Sequence, residues 1–245
     1  MRSTGLWAAR RAVVGSVGVL LLHTGCAPGP RVAPPSAATA VAPPTVASSS
    51  VRRFAVVAGE VRVRAYRDGP LARLGHNHVI VSTALEGTVE LAEPLAASRF
   101  ALRLPVDSLQ VDLPQERAAA GADFSAPVPD ADRAGTRRNM LGPTQLDAAR
   151  FPVVTIESVT LTGGPVAWVA RVRIGLRGAP HLLDVPVRLA ATPDGIRVEG
   201  DLSVDQAALG LEPFSVALGA LRVRRDLDID FRLRARPENL PPGGT

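Results

Sequence analysis

Histidine offers the clearest chemistry in this chain, and two of its four histidines stand only two residues apart. His76 and His78 lie directly before a segment in which apolar and polar residues alternate. Residues two apart on an extended segment point the same way. The pair could therefore bind a metal ion with His181 as a third ligand, touch an organic ligand, or hydrogen-bond loop carbonyls.

Strand parity separates His181 from the pair. If one unbroken strand runs through His76 and His78, both share a face with Ser82 and Glu86 and point away from the apolar side, unless a bend precedes the strand. His181 instead shares the parity of the apolar residues that follow it. No cysteine or acidic cluster completes a metal site, so a structural or ligand-contacting role is favoured, with metal binding by His76 and His78 as the alternative.

The sequence does not favour catalysis. No Gly-x-Ser-x-Gly motif is present, and the only cysteine, Cys26, lies ahead of the alternating segments. Gly163-Gly164 precedes a strand pattern, whereas a phosphate-binding loop precedes a helix. The chain is therefore predicted not to be an enzyme and to need no cofactor.

The N-terminal quarter predicts export. Arg10 and Arg11 directly precede an apolar run of eleven residues, 12–22, which is too short to span a bilayer as a mature helix. Residues 1–25 therefore read as an export signal, and small residues before Cys26 are typical of a lipoprotein signal whose cysteine is lipidated. Residues 26–52, rich in Pro, Ala and Ser, predict a tether. Residues 237–245 predict a disordered tail.

Charge argues against nucleic acid as a partner. The chain carries a net charge of +5, but loss of the signal removes three arginines and leaves 25 Arg against 23 acids. The remaining arginines alternate with acids along the strand patterns, which is typical of a solvated face of mixed charge. The predicted location is the periplasm or the outer cell surface, with attachment to the membrane through Cys26.

Eight segments between residues 53 and 236 alternate with period two, as strands with one buried face do. Short turns join most of them, which favours antiparallel pairing. The phase slips after Pro105, indicating an edge or a bulge. The segments have the length of tilted barrel strands, so the predicted fold is all-β: an eight-stranded antiparallel barrel.

One excursion interrupts the alternation. Residues 113–150 are rich in Pro, Gly, Ala and charge. Short helices are predicted over 132–141 and 144–150, within an insertion between the third and fourth strands that caps one end of the barrel.

Several motifs in this order resemble the YceI-like family of exported lipid-binding barrels, specifically members with a Gly-His-x-His sequence. They are Gly75-His76-Asn77-His78, Arg138-Asn139-Met140-Leu141-Gly142-Pro143, Phe151-Pro152, Leu176-Arg177-Gly178, Asp184-Val185-Pro186-Val187 and Leu209-Gly210-Leu211-Glu212-Pro213-Phe214-Ser215. The resemblance implies a lipocalin-like barrel whose apolar lumen holds an elongated amphiphile such as a polyisoprenoid.

The predicted function is therefore a non-enzymatic exported protein that binds an amphiphilic or isoprenoid-type lipid. The alternative is a metal- or haem-associated periplasmic protein of stress or redox metabolism that uses the histidine pair. The candidate ligand-binding residues are His76, His78, Val81, Leu85, Leu102, Met140, Ile156, Trp168, Val172, His181, Val187, Phe214 and Phe231.

Overall fold

The alternating segments fold into antiparallel strands in the computed structural model, which describes residues 50–164, 167–192 and 194–238. The strands are β1 Arg52–Ala65, β2 Arg67–Asp68, β3 His78–Ser82, β4 Glu86–Leu91, β5 Arg99–Pro105, β6 Gln110–Val111, β7 Val153–Gly164, β8 Ala167–Leu176, β9 Ala179–Thr192, β10 Gly195–Asp205, β11 Ser215–Val216, β12 Leu221–Val223 and β13 Asp226–Pro237. The helices are α1 Pro114–Ala119 and α2 Asp130–Leu141.

The described residues belong to the second of two units in the chain, Ala47–Thr245. The predicted export signal, Cys26, nearly all of the tether and most of the tail lie outside the described residues. Neither described helix is long and apolar enough to cross a membrane.

Eight strands close into a ring. The order is β1, β4, β5, β7, β8, β9, β10 and β13, and β13 pairs back onto β1 from Phe54↔Pro237 to Arg64↔Asp228. All of these pairings are antiparallel. The predicted eight-stranded antiparallel barrel is therefore confirmed. Closure leaves none of the eight strands as a free edge along its whole length.

The alternating segment over 79–91, predicted as a single strand, is broken into β3 and β4, and the break changes its phase. The chain crosses β1 closely at the break, where Ala84 bridges Gly59 and a Cβ on Gly59 would lie 2.7 Å from Leu85 Cβ. Glycine is the residue that allows this approach. Upstream of the break β3 pairs with the second half of β1, and downstream β4 pairs with the first half.

The predicted phase slip after Pro105 is also present. A short 3-10 turn, Val106–Ser108, separates β5 from β6, and β6 then pairs with β3. The chain thereby leaves the ring and begins the insertion alongside the outer edge of β3.

The insertion differs in part from the prediction. The helix predicted over 132–141 is confirmed as α2, with Asp130 and Asp132 in its first turn, where acids stabilise the helix dipole. The helix predicted over 144–150 is wrong, since those residues form turns. α1 was not predicted; it begins with a proline at a position where proline is favoured.

The two ends of the barrel are built differently. Only two residues separate β7 from β8, and two separate β9 from β10; the end of the barrel where these strands meet is here called the turn end. The opposite end, the loop end, carries the insertion and the segments 66–77 and 206–225. There β2, β12 and β11 form a separate three-stranded sheet.

Candidate functional site: an apolar cavity with a polar mouth

The barrel encloses a cavity of about 490 Å³, which falls within the range of small-molecule sites. Its wall consists of inward-facing aliphatic and aromatic side chains from the ring strands, among them Val61, Leu102, Ile156, Val185 and Ile229. Many of these residues are only half-buried because they face the cavity. The lumen is therefore not filled by the protein's own side chains.

The polar residues that line the cavity are concentrated at the loop end. They are Arg67, His76, His78, Thr136, Asn139, Gln145, Gln206 and Arg222, while Ser98 and Arg99 lie at the turn end. Three of the loop-end residues, Arg67, Asn139 and Arg222, are exposed to solvent, whereas at the turn end only Arg99 is. The cavity therefore reaches the surface at the loop end, which we call the mouth.

Most of the predicted ligand-binding residues line this cavity: His76, His78, Leu85, Leu102, Met140, Ile156, Trp168, Val172, Val187, Phe214 and Phe231. Val81 and His181 do not. Met140 comes from the last turn of α2, so the insertion contributes directly to the mouth.

The placement of Val81 was predicted wrongly because β3 has the opposite phase to β4. In the β1–β3 register Val81 lies opposite Arg62, and Ile80 lies opposite Val63. Opposed residues of an antiparallel pair share a face, so Ile80 faces the lumen and Val81 faces outward. Val81 is nevertheless buried, because the insertion and α1 cover the outer face of β3.

His181 was also placed wrongly. It lies near the start of β9 and has the inward parity of Leu183 and Val185, but it is not among the residues that line the cavity. The segment after β10 passes over this position, and a Cβ on Gly210 would lie 2.9 Å from His181 Cε1. The imidazole therefore packs against this loop.

The same phase change brings His78 into the lumen, contrary to the prediction from an unbroken strand. His78 lies opposite Ala65 in the β1–β3 register and lines the cavity. His76 lines it as well, with its ring centroid 6.3 Å from that of His78. Both members of the pair thus lie at the mouth.

A buried carboxylate orients His78. Asp112 is fully buried, and its Oδ2 lies 2.6 Å from His78 Nδ1. Its Oδ1 accepts hydrogen bonds from the Val79 N–H at 2.9 Å and from Arg117 Nη1 at 2.7 Å. Arg117 is itself buried and also donates to the carbonyl of Asn77. This network ties α1, β3 and the end of β6 together.

The network keeps Asp112 ionised. Burial alone would raise the pKa of Asp112, but hydrogen bonds from His78, the Val79 N–H and Arg117 outweigh that effect and lower it. An ionised carboxylate can only accept, so His78 Nδ1 donates to it. His78 Nε2 is then left for the cavity side, 3.5 Å from Thr136 Oγ1. The imidazole is a fixed polar group in an otherwise apolar chamber.

Asp112 predicts a specific loss of stability in acid. Because its pKa is lower in the folded protein, the carboxylate stabilises the fold above its unfolded pKa of about 3.9, and this contribution disappears as the pH falls through the folded value. We expect the free energy of unfolding to decline more steeply below about pH 4 in the wild-type protein than in D112N. Urea unfolding at successive acidic pH values measures both slopes, and equal slopes would contradict the assignment.

The metal alternative gains no third ligand. The described residues contain no group of three or more His, Cys, Asp or Glu side chains placed to hold a metal ion. Asp112 engages only Nδ1 of His78 and leaves Nε2 on the cavity side, an arrangement that metal-binding histidines also adopt. Metal binding by His76 and His78 therefore stays a prediction.

Several residues of the site were absent from the sequence prediction, notably Asp112, Arg117 and Thr136. Asp112 and His78 are 34 positions apart, and no periodicity joins them. Asp112 has a left-handed backbone, with φ 53°, a conformation that aspartate tolerates better than most residues. This angle is a property of the folded structure, so the sequence alone did not mark Asp112.

The fold and its cavity define a lipocalin-like barrel, and known structures share it. BcnA of Burkholderia cenocepacia aligns over 72% of this chain and 95% of its own, with 14% identity and a TM-score of 0.52. A polyisoprenoid-binding domain from Saccharophagus degradans, implicated in plant cell wall breakdown, aligns over 75% of this chain and 98% of its own, with 14% identity and a TM-score of 0.51. A YCEI protein of Campylobacter jejuni aligns with a TM-score of 0.44 and 6% identity, over 63% of this chain and 82% of its own.

Sequence comparison gives no counterpart to these structural matches. No protein-family model matches the chain, and no curated protein matches it. The fold expected from the YceI-like resemblance is confirmed. Membership of the Gly-His-x-His subgroup remains a prediction.

Proposed function

We propose that this protein is an exported, non-enzymatic carrier or sensor that holds an elongated amphiphilic or isoprenoid-type lipid in its barrel. The observation that carries the proposal is the apolar cavity of about 490 Å³. Burial of an apolar chain there contributes about 25 cal/mol per Å² of surface removed from water. The S. degradans domain is described as polyisoprenoid-binding, and its likeness to this barrel supports the same class of ligand.

The cavity suits a long ligand with one polar end. Along β13 the lining residues run from Leu227 to Leu233, which corresponds to about 20 Å at 3.3 Å per residue. Polar side chains lie mainly at the mouth, where His78 is held by Asp112. We place the ligand's head group beside His76 and His78 and its tail toward Trp168.

We further propose that the protein acts in the periplasm or at the outer cell surface, attached to the membrane through a lipidated Cys26. The basic, apolar N-terminus followed by the only cysteine of the chain supports this location. A long tether would let the barrel move over a membrane while remaining attached to it.

Native mass spectrometry of the untagged full chain, purified from its own host in mild detergent, tests the proposal. We expect an intact mass that begins at a lipidated Cys26 and, in addition, a noncovalent adduct that organic solvent extracts as a long-chain amphiphile. Denaturing spectra of the same sample separate the two, because only the lipid on Cys26 survives unfolding. A chain that carries a metal ion and no extractable amphiphile would overturn the lipid-binding function.

A further inference from the structure

Three exposed aliphatic side chains lie on two neighbouring segments at the loop end. Leu74 is 65% exposed, Val216 44% and Leu218 fully exposed. Elsewhere in the described chain, the exposed large apolar residues lie singly on the outer wall or ahead of β1, as is normal for a surface. We call the two segments, residues 69–75 and 214–222, the mouth tip.

The two segments of the mouth tip form one surface. β12 pairs with both β2 and β11, and the Leu71 N–H donates to the Ala220 carbonyl at 2.8 Å. A Cβ on Gly75 would lie 2.9 Å from Leu221 Cδ1, so the segments touch closely. The aliphatic residues are thus presented on a folded platform.

The backbone holds Leu218 outward at a cost. Ala217 and Leu218 both have left-handed backbone, with φ 51° and 52°. Residues with a Cβ rarely adopt this conformation. Here it exposes a leucine completely to water, which is unfavourable in itself. Both features indicate that the leucine is used by something outside the barrel.

The mouth tip carries positive charge. Arg73 lies within it and Arg67 two residues before it; both are exposed, and neither pairs with an acid among the described residues. Arg222 also lies within the mouth tip, but it is paired with Asp68 at 2.8 Å and adds no net charge. Aliphatic side chains next to arginines match an anionic phospholipid surface, with tails below and phosphates above.

The mouth tip is also continuous with the cavity. Val216 is both exposed and part of the cavity lining, and Leu221 and Arg222 line the cavity as well. A ligand that leaves the cavity at the mouth therefore passes this surface.

We propose that the mouth tip docks onto an anionic bilayer, with Leu74 and Leu218 inserted, so that an amphiphile moves between membrane and cavity without crossing water. This inference rests on the proposed lipid-binding function and assigns it a loading surface. Docking at the mouth adds a second membrane contact to the proposed anchor. It also fixes which end of the barrel faces the lipid.

A dye at the mouth tip tests docking directly. The full chain carrying Cys26→Ser and Leu218→Cys is labelled with an environment-sensitive fluorophore and mixed with vesicles of phosphatidylcholine, alone or with an equal amount of phosphatidylglycerol. The matched control carries the dye at Val169→Cys, an exposed apolar position on the outer wall. Since the dye reports only its own surroundings, the N-terminal segment affects both proteins equally.

We expect a blue shift and quenching by brominated lipids for the dye at 218, stronger with phosphatidylglycerol, and neither for the dye at 169. The same signal at both positions, or no signal at 218, would overturn docking. The Leu74→Ser/Leu218→Ser protein should take a fluorescent long-chain amphiphile from anionic vesicles about tenfold more slowly than Val169→Ser/Leu182→Ser.

Equilibrium binding of the same amphiphile in solution separates the two proposals. Neither Leu74 nor Leu218 lines the cavity, so their serine variants should bind as the wild-type protein does. Normal binding with unchanged uptake from vesicles overturns docking alone. A wild-type protein that binds no amphiphile overturns the proposed function, while the dye still reports whether the mouth tip enters a bilayer.

Discussion

Asp112→Ala is expected to lower the free energy of unfolding by about 3–5 kcal/mol, the range for a buried ion pair that loses one partner. The substitution leaves the buried guanidinium of Arg117 without its carboxylate. It also leaves the Val79 N–H and His78 Nδ1 without acceptors. Urea unfolding followed by circular dichroism measures the loss.

Asp201→Ala provides the matched control. Asp201 also pairs with an arginine, Arg188, at 3.1 Å, but its side chain is 68% exposed. An exposed pair of this kind contributes at most about 1 kcal/mol. If the two substitutions destabilised the protein equally, Asp112 would not be the central acceptor of a buried network.

Leu183→Trp is expected to remove amphiphile binding while leaving the fold intact. Leu183 lines the cavity opposite Val172 and is only half-buried, because it borders empty space. An indole at this position occupies the volume that the ligand's tail requires. We expect affinity for a fluorescent fatty acid or prenol to fall by about tenfold or more, since a filled pocket cannot bury the tail.

The neighbouring position gives a control for this substitution. Leu182 precedes Leu183 on β9, but it points outward and is 52% exposed. Leu182→Trp adds the same side chain to the surface, so its affinity should remain that of the wild-type protein. Unfolding curves of both variants check that neither is destabilised by more than about 1 kcal/mol, as expected where space is available. Undiminished binding by Leu183→Trp would rule out the cavity as the ligand site.

The barrel could be predicted from the sequence because its strands alternate cleanly. On β8, for example, Trp168, Ala170 and Val172 face the lumen as their parity predicts. Alternation failed at β3 for a physical reason. Val79 and Val81 are apolar because α1 covers them from outside. Their odd-numbered apolar pattern continues through Thr83 to Leu85, so the sequence looks like one unbroken strand.

The polar part of the site was harder to predict than the cavity wall. The sequence singled out His76 and His78, but the direction in which the side chain of His78 points depends on the break between β3 and β4. The continuous alternation of apolar residues conceals that break. Asp112 and Arg117 belong to an excursion without periodicity, and only the fold brings them behind His78. Burial and pairing of charged residues are decided by tertiary contacts, which local spacing does not encode.

Because of the phase change between β3 and β4, the wall beside His78 has α1 on its outer side, β3 in the middle and the cavity on its inner side. α1 covers the outer face of β3, and Arg117 connects the helix to the backbone of Asn77, directly before the strand. Such a strand is shielded from water on both sides, and its amides should be among the slowest in the barrel to exchange with solvent. In the proposed binding mode the head group meets a histidine that is held on a stiff support, which lowers the entropic cost of recognition. Leu74 and Leu218, proposed to enter the bilayer, are instead carried by short 3-10 turns.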